Sequence, residues 1–192
     1  MLYKTSTDEF VKLQLKASVK QGDRKRVIAT TIKLKEISLK KTMDLFNFQR
    51  MNALLSPEEW ANKKLLCFDR KGLAASMRKH TSKTIHHCLV SRWHNEKLKP
   101  VAKIMFKNML GYMGDRRYQA GQKVILAQEI LKAGIAEFEL RTEIYAQLMK
   151  QLSHNPNPTS VNNGWDLLMV CVSTFPPTPI IENHVEVFIR QK

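Results

Sequence analysis

Lys99, Lys103 and Lys107 stand four residues apart, the spacing that lines side chains along one face of an α-helix. Like charges in that register cost an isolated helix a few tenths of a kcal/mol per pair. The chemistry open to such a row is electrostatic capture of an anion. Lys79, Lys83, Arg92, Lys97, Arg116, Arg117 and Lys123 flank it, with Glu96 and Asp115 the only acids between them. Residues 61–123 hold 15 of the 32 Lys/Arg and 3 of the 17 Asp/Glu, whereas residues 124–192 hold 5 and 7. A single lysine stripe is ordinarily a solvated helix face. A formal charge of +15 gathered into the middle third argues instead for an anionic partner. One exposed ion pair is worth about 0–1 kcal/mol and micromolar affinity needs about 8 kcal/mol. Roughly six to eight simultaneous contacts are therefore required, which predicts weak, salt-sensitive binding.

Other constellations carry less. Adjacent side chains of His86-His87-Cys88 diverge by about 100° on a helix, and no paired Cys or His spacing supports a metal. No metal site and no cofactor is expected. Glu139 and Glu143 are four apart and could face one another, with Arg141 and Lys150 near in sequence, but no second motif supplies the further roles that a catalytic site needs. The seven glycines form no phosphate-binding loop, and G-x-S-x-G is absent. The chain reads as non-catalytic. Nucleic acid is disfavoured because the basic region lacks interleaved aromatics and zinc-finger or RNA-recognition signatures. Anionic membrane is a stronger rival, at about 1 kcal/mol per basic residue, but the lysine helix commits its apolar face to a core and shows no insertion wedge.

The elements that must position these residues are helical from Ser56 onward. Ser56-Pro57-Glu58-Glu59 is a capping box with proline at the first helical position, and Trp60 and Leu65 are expected to face inward. Gly72 reads as a break, with one short helix before the loop at 81–84 and another carrying Ile85, Leu89 and Trp93. Pro100 opens the lysine helix, whose inward arc reads as Val101, Ile104, Met105, Met109 and Tyr112, opposite the lysines, with Gly114 as C-cap. A helix over 123–133 closes at Gly134. Leu140, Ile144, Leu148 and Leu152 recur at helical spacing, and Tyr145 and Met149 widen the stripe. Asn155-Pro156-Asn157-Pro158 turns the chain. A helix over 160–174 stops at Phe175-Pro176-Pro177, and a last one carries Ile181, Val185 and Phe188. Trp165 and Tyr145 belong to packed stripes, and Arg141 to a half-buried ion pair with Glu143 or another carboxylate.

Residues 1–55 differ from the rest. Val11 to Val19 and Ile28 to Leu34 alternate apolar with polar residues around Gln21-Gly22-Asp23-Arg24. That period favours a β-hairpin appendage, with a basic helix as the alternative. Thr42 is placed to cap a helix carrying Leu45, Phe46, Met51 and Leu54. The division expected is a basic extension over 1–55 and a helical domain over 56–192. Three scattered cysteines and no glycosylation sequon fit a reducing, intracellular setting, and nothing reads as a signal peptide or a spanning segment.

The stretch Leu-Arg-Thr-Glu-Ile-Tyr-Ala-Gln-Leu-Met-Lys-Gln, with Asn155-Pro156-x-Pro158, Gly164-Trp165-x-Leu167-Leu168, Cys171 and Phe175-Pro176-Pro177 after it, closely resembles the myosin tail homology 4 (MyTH4) domain. That domain occurs in tails of unconventional myosins, in some plant kinesins and in some Rho GTPase-activating proteins. Tyr112-Met113-Gly114-Asp115 and Leu126-Ala127-Gln128-Glu129-Ile130-Leu131 agree as well, and the resemblance covers roughly residues 73–190. Thr142 stands where the family has Asp, and Thr84 where it usually has Pro. The resemblance implies an all-α bundle and a cytoplasmic, cytoskeleton-associated interaction module. It implies a basic surface for microtubules, here Lys99, Lys103, Lys107, Arg116, Arg117, Lys79 and Lys83 against acidic tubulin tails. It also implies an alternative, binding of cargo tail peptides or autoregulation together with an adjacent FERM domain.

Overall fold

A computed structural model describes residues 24–119 and 121–191, with side chains from residue 32 onward. The chain divides between Leu45 and Phe46 into two units. In the first, helix α1 spans Arg24–Leu45. The alternating residues 28–34 expected to form the second arm of a hairpin are thus helical, and the first arm lies outside the described residues. Lys and Leu, which recur over 33–45, lose little rotamer freedom in a helix. Thr42 is interior to α1, its hydroxyl donating to the Ser38 carbonyl at 2.9 Å, so it caps nothing. Ile32, Leu34, Ile37 and Leu39 are all exposed.

The second unit, Phe46–Lys192, begins with a 3-10 turn, Phe48–Arg50. Six helices follow among the described residues up to α7 (Pro158–Thr174) and one after it. They are α2 (Pro57–Asn62), α3 (Arg70–Ser76), α4 (Leu98–Met113), α5 (Gln122–Ala136), α6 (Phe138–Leu152), α7 and α8 (Glu182–Arg190). No strand forms among the described residues, only an isolated antiparallel bridge between Leu54 and Val90. The fold is an all-α bundle. Phe48, Met51, Leu54 and Leu55 are buried in its core.

Local chemistry sets several of the boundaries. The Ser56 hydroxyl accepts from the Glu59 N–H at 3.1 Å, and the Glu59 carboxylate accepts from the Ser56 N–H at 2.9 Å, which starts α2 with two otherwise orphaned donors satisfied. Trp60 is buried, but α2 ends at Asn62, so Leu65 lies outside the helix and is exposed rather than inward. Gly72 lies within α3 rather than breaking it. Gly114 ends α4 in the left-handed conformation, φ 89°, where a side chain would be strained. Pro158 occupies the first turn of α7 behind Asn157, whose side chain accepts from Thr159 and Ser160 N–H. Pro156 lies in the corner before it, where the Asn155 amide bonds back to the Gln151 carbonyl and across to Ser160. Gly134 does not close α5, which continues through Ala136. Its role is close approach: a Cβ there would lie 2.4 Å from Phe175 ring atoms.

Helix α6 runs through the centre, packed by α4, α5, α7 and α8, and residues 142–152 are all buried. Tyr145 has no exposed surface and its hydroxyl donates to the Phe175 carbonyl at 2.7 Å, tying α6 to the turn at Pro176-Pro177. Thr142 meets Thr178 hydroxyl to hydroxyl at 2.7 Å. Trp165 is half-buried and stacks on Phe188 with centroids 6.0 Å apart. The expected short helix over 85–93 is absent. Residues 77–97 are irregular throughout, because α6 supplies the backbone partners that a helix would otherwise supply itself.

Candidate functional site

The irregular segment 77–97 is held by long polar side chains that leave α6 at successive turns. The Glu139 carboxylate accepts from the His94 and Asn95 N–H groups. Glu143 accepts from Leu89 N–H at 2.8 Å and Val90 N–H at 2.7 Å. Gln147 donates to Glu143 at 2.9 Å and to the Ala102 carbonyl of α4 at 3.1 Å. Gln151 closes a two-way bond with Thr81, accepting its N–H at 3.1 Å and donating to its carbonyl at 2.9 Å. Lys150 donates to the carbonyls of Ser76, at 2.8 Å, and Lys79, with its ammonium 5.9 Å over the Trp60 ring. Buried backbone groups need such partners, and a chain without its own ladder must take them from side chains. The Glu, Gln, Lys and Gln of the α6 motif are that ladder.

Charge follows from this burial. Burial raises the Glu143 carboxyl against the opposing donors at Leu89, Val90 and Gln147. Burial alone pushes the Lys150 ammonium down to about 7. Glu139 and Glu143 do not form a catalytic pair, since each carboxylate accepts backbone N–H groups. Arg141 does not pair with Glu143: its guanidinium donates to the Gly134 carbonyl at 2.7 Å and lies over Phe138 and Phe175. It thereby caps the end of α5, where helix carbonyls lack internal partners.

The predicted basic residues fall on the outer side of this scaffold. Lys103, Lys107, Arg116, Arg117, Lys79 and Lys83 are exposed. Lys99 is half-buried and paired with Glu96, so it is the least available of the set. The buried arc of α4 is Leu98, Ala102, Met105, Phe106, Met109, Leu110 and Met113. Ile104, assigned inward from the sequence, points out and is 53% exposed. The lysines therefore run along one flank of α4, between core and outer face, rather than directly opposite the core. At ~1.5 Å rise per residue the row has a spacing of ~6 Å.

At one end of that row, Lys99 and Lys103 are joined by Lys63 and Lys64 around His86 and His87. Burial and then the charges of Lys63, Lys99, His86 and Lys103 push His87 down to about 4. His86 is lowered first by burial and further by Lys64, Lys103 and Lys150, against the Trp60 carbonyl that it bonds at 2.9 Å. At the other end the Tyr118 hydroxyl donates to the Lys107 carbonyl at 3.4 Å, and Arg116 lies 5.9 Å from the Tyr118 ring centroid. Asp115 links this end to the loop of Lys79 and Lys83: it lies 3.1 Å from His80 and accepts from Ser160 at 3.0 Å. Both acids of the basic region, Glu96 and Asp115, are thus already engaged. Lys63 and Lys64 were not selected from the sequence. Their signal is a basic pair at the C-terminus of α2, whose proximity to His87 only the tertiary fold creates. No group of three or more His, Cys, Asp or Glu among the described residues could hold a metal.

Residues 127–192 match the family model of the MyTH4 domain. The high molecular weight form of myosin-1 from Acanthamoeba castellanii is 39% identical over 184 residues, covering 96% of this chain and 11% of that protein. The human Myosin 7b C-terminal MyTH4-FERM domain in complex with the harmonin-a PDZ3 domain is 33% identical, with a TM-score of 0.55 over 59% of this chain and 25% of that one. The Dictyostelium discoideum myosin VII MyTH4-FERM MF1 domain, in a mutant form, shares the fold with a TM-score of 0.63 at 23% identity, covering 79% of this chain and 29% of that one. The chain therefore spans a small part of each relative. With the buried Glu-Ile-Tyr-x-Gln-Leu-x-Lys-Gln helix, the corner at Pro156 and Pro158 and the Phe175 turn all in place, the chain belongs to the MyTH4 domain family.

Proposed function

We propose that this chain is one half of a tail unit that packs against an adjacent FERM domain and, with it, holds a partner polypeptide such as a cargo tail peptide. It serves as a non-catalytic, cytoplasmic, cytoskeleton-associated module of a longer protein. The observation that carries this reading is the apolar surface that the domain leaves uncovered. Met169, Val170 and Val172 on α7, and Ile135 and Phe138 at the α5–α6 junction, are exposed, which suits burial against a neighbouring domain. The solved relatives are MyTH4-FERM units in which such a neighbour is present. Calorimetry with a FERM domain from a matched myosin tail, supplied in trans, tests it. Binding is expected for the parent chain and is lost in Met169→Asp/Val172→Asp, whose exposed positions leave the fold unchanged. No heat with the parent, or an Asp variant that binds equally, overturns the reading.

A second reading is favoured by a separate observation, the row of cations along α4 continued by Arg116, Lys79 and Lys83. It suits a flexible acidic polymer such as the tails of tubulin, which satisfies many point charges without a shaped pocket. Co-sedimentation with microtubules across a salt series reads it out. Pelleting at low salt is expected, with release as salt rises and loss in Lys103→Glu/Lys107→Glu. A folded variant that pellets like the parent removes these residues from the site.

A further inference from the structure

The loop between α2 and α3 has no part in the reading above, yet it is the most exposed apolar feature of the described chain. Leu65, Leu66 and Phe68 are 92%, 86% and 108% exposed. Scattered single apolar residues are normal on a surface, but three within four positions, touching almost nothing, are not. The loop's two ends are pinned. Arg70 donates to the Asn62 side-chain carbonyl at 2.9 Å, and Asp69 accepts the Gly72 N–H at 2.8 Å as the cap of α3. The apolar tip is therefore a projection with a fixed base. Lys63 and Lys64 precede it and Arg70 and Lys71 follow it, all exposed, while Asp69, the one acid among them, is engaged as the cap.

The same two helices enclose a cleft of about 550 Å³ whose lining includes Glu58, Asn62, Arg70, Lys71 and Arg78. Asn62 and Arg70 both close the loop and line the cleft, so the apolar tip rises from the cleft's rim. Arg78 is 9% exposed. Its Nε has no hydrogen-bond partner among the described residues, and its Nη2 reaches only the Met51 carbonyl, at 3.4 Å. A buried guanidinium with unspent donors is costly to a fold and is well matched to an oxyanion, above all phosphate. Glu58 opposes it, but three cations outnumber that one acid in the cleft.

We propose that this face docks on anionic phospholipid, with Leu65, Leu66 and Phe68 inserted between headgroups and a lipid phosphate seated in the cleft at Arg70, Lys71 and Arg78. An acidic filament would use the cations and leave the apolar tip in water. A peptide ligand needs a concave apolar floor, whereas these side chains project. Hydrocarbon beneath a layer of negative charge uses both features at once. Each basic residue at such a surface is worth roughly fivefold in partitioning, so the collar and the wedge together give peripheral, reversible attachment. No described helix is long and apolar enough to cross a membrane, and none is needed.

The test is flotation of the full 192-residue chain with vesicles of phosphatidylcholine alone or with roughly one-third phosphatidylserine. Partitioning at least about tenfold stronger to the anionic vesicles is expected. Leu65→Ser/Leu66→Ser/Phe68→Ser should lower it by about tenfold or more with the thermal melt unchanged, because those side chains are solvent-exposed. Arg70→Gln/Lys71→Gln should lower it as well. In Phe68→Trp, the emission of the new indole should move to shorter wavelength and be quenched by brominated acyl chains, giving a depth readout that charge alone cannot produce. Equal binding to the two vesicle types overturns the proposal. So does an unquenched indole or an unaffected Ser variant, either of which would reassign the loop to a protein neighbour. These readouts are independent of the FERM and microtubule experiments.

Discussion

Glu143 is fully buried, with no ion-pair partner among the described residues. Two backbone N–H groups and the Gln147 amide satisfy it instead, so its work is structural. Glu143→Gln turns one acceptor into a donor facing Leu89 or Val90 N–H and should cost about 1–3 kcal/mol, measured as a fall in the urea midpoint at constant slope. Lys150 gives a pH signature. Its folded pKa is pushed down to about 7 from the ordinary 10.5, so between those values the unfolded chain holds a proton that the folded chain has released. Stability should therefore rise with pH across that window. Chemical denaturation from about pH 6 to about pH 9 should show the rise in the parent and a flatter profile in Lys150→Met. A parent profile that falls or stays flat would mean that the two carbonyls and the Trp60 face hold the proton throughout. The sequence supplied the identity of these residues but not their partners. Proximity in sequence suggests Glu143 or another carboxylate as the partner of Arg141, whereas its acceptors are the carbonyls that end α5.

At the scale of elements, legibility follows the range of the bonds. The capping box at Ser56 and the left-handed stop at Gly114 depend on residues within a few positions of one another, and both were readable. The segment 77–97 was not, because the α6 side chains that bond its backbone lie 44 to 71 residues away. The spacing of Ile85, Leu89 and Trp93 suggests a helix there, and tertiary hydrogen bonds override it. The buried arc of α4 lies about one residue round from the expected one for the same reason, since Ile104 and Phe106 are both apolar and only the position of the neighbouring helices buries Phe106 and exposes Ile104. Gly134 shows the point energetically. In an open helix Gly→Ala stabilises by about 1 kcal/mol, but here a Cβ would lie 2.4 Å from Phe175, and overpacking costs about 1–3 kcal/mol. Gly134→Ala should therefore lower the melting temperature. A rise would mean that the Phe175 ring can move aside freely.

Across the whole molecule, one buried helix does two jobs. Its apolar side chains organise α4, α5, α7 and α8, and its polar side chains fix an irregular segment that exposes Lys79 and Lys83 and sets half-buried His86 and His87 near Lys103 of α4. The charge gathered in the central third was legible from composition, as was the all-α class. The approach of Lys63 to His87 was not, because only the tertiary fold creates it, and neither was the exposed tip at Leu65, Leu66 and Phe68, whose Leu65 is expected to face inward. Helix α6 holds 77–97 as a fixed display rather than a loose loop. Native-state hydrogen exchange at the Leu89 and Val90 amides tests it most directly. Protection approaching that of the α6 amides is predicted, with selective loss in Glu143→Gln. Exchange in the parent as fast as at exposed loop amides would contradict it.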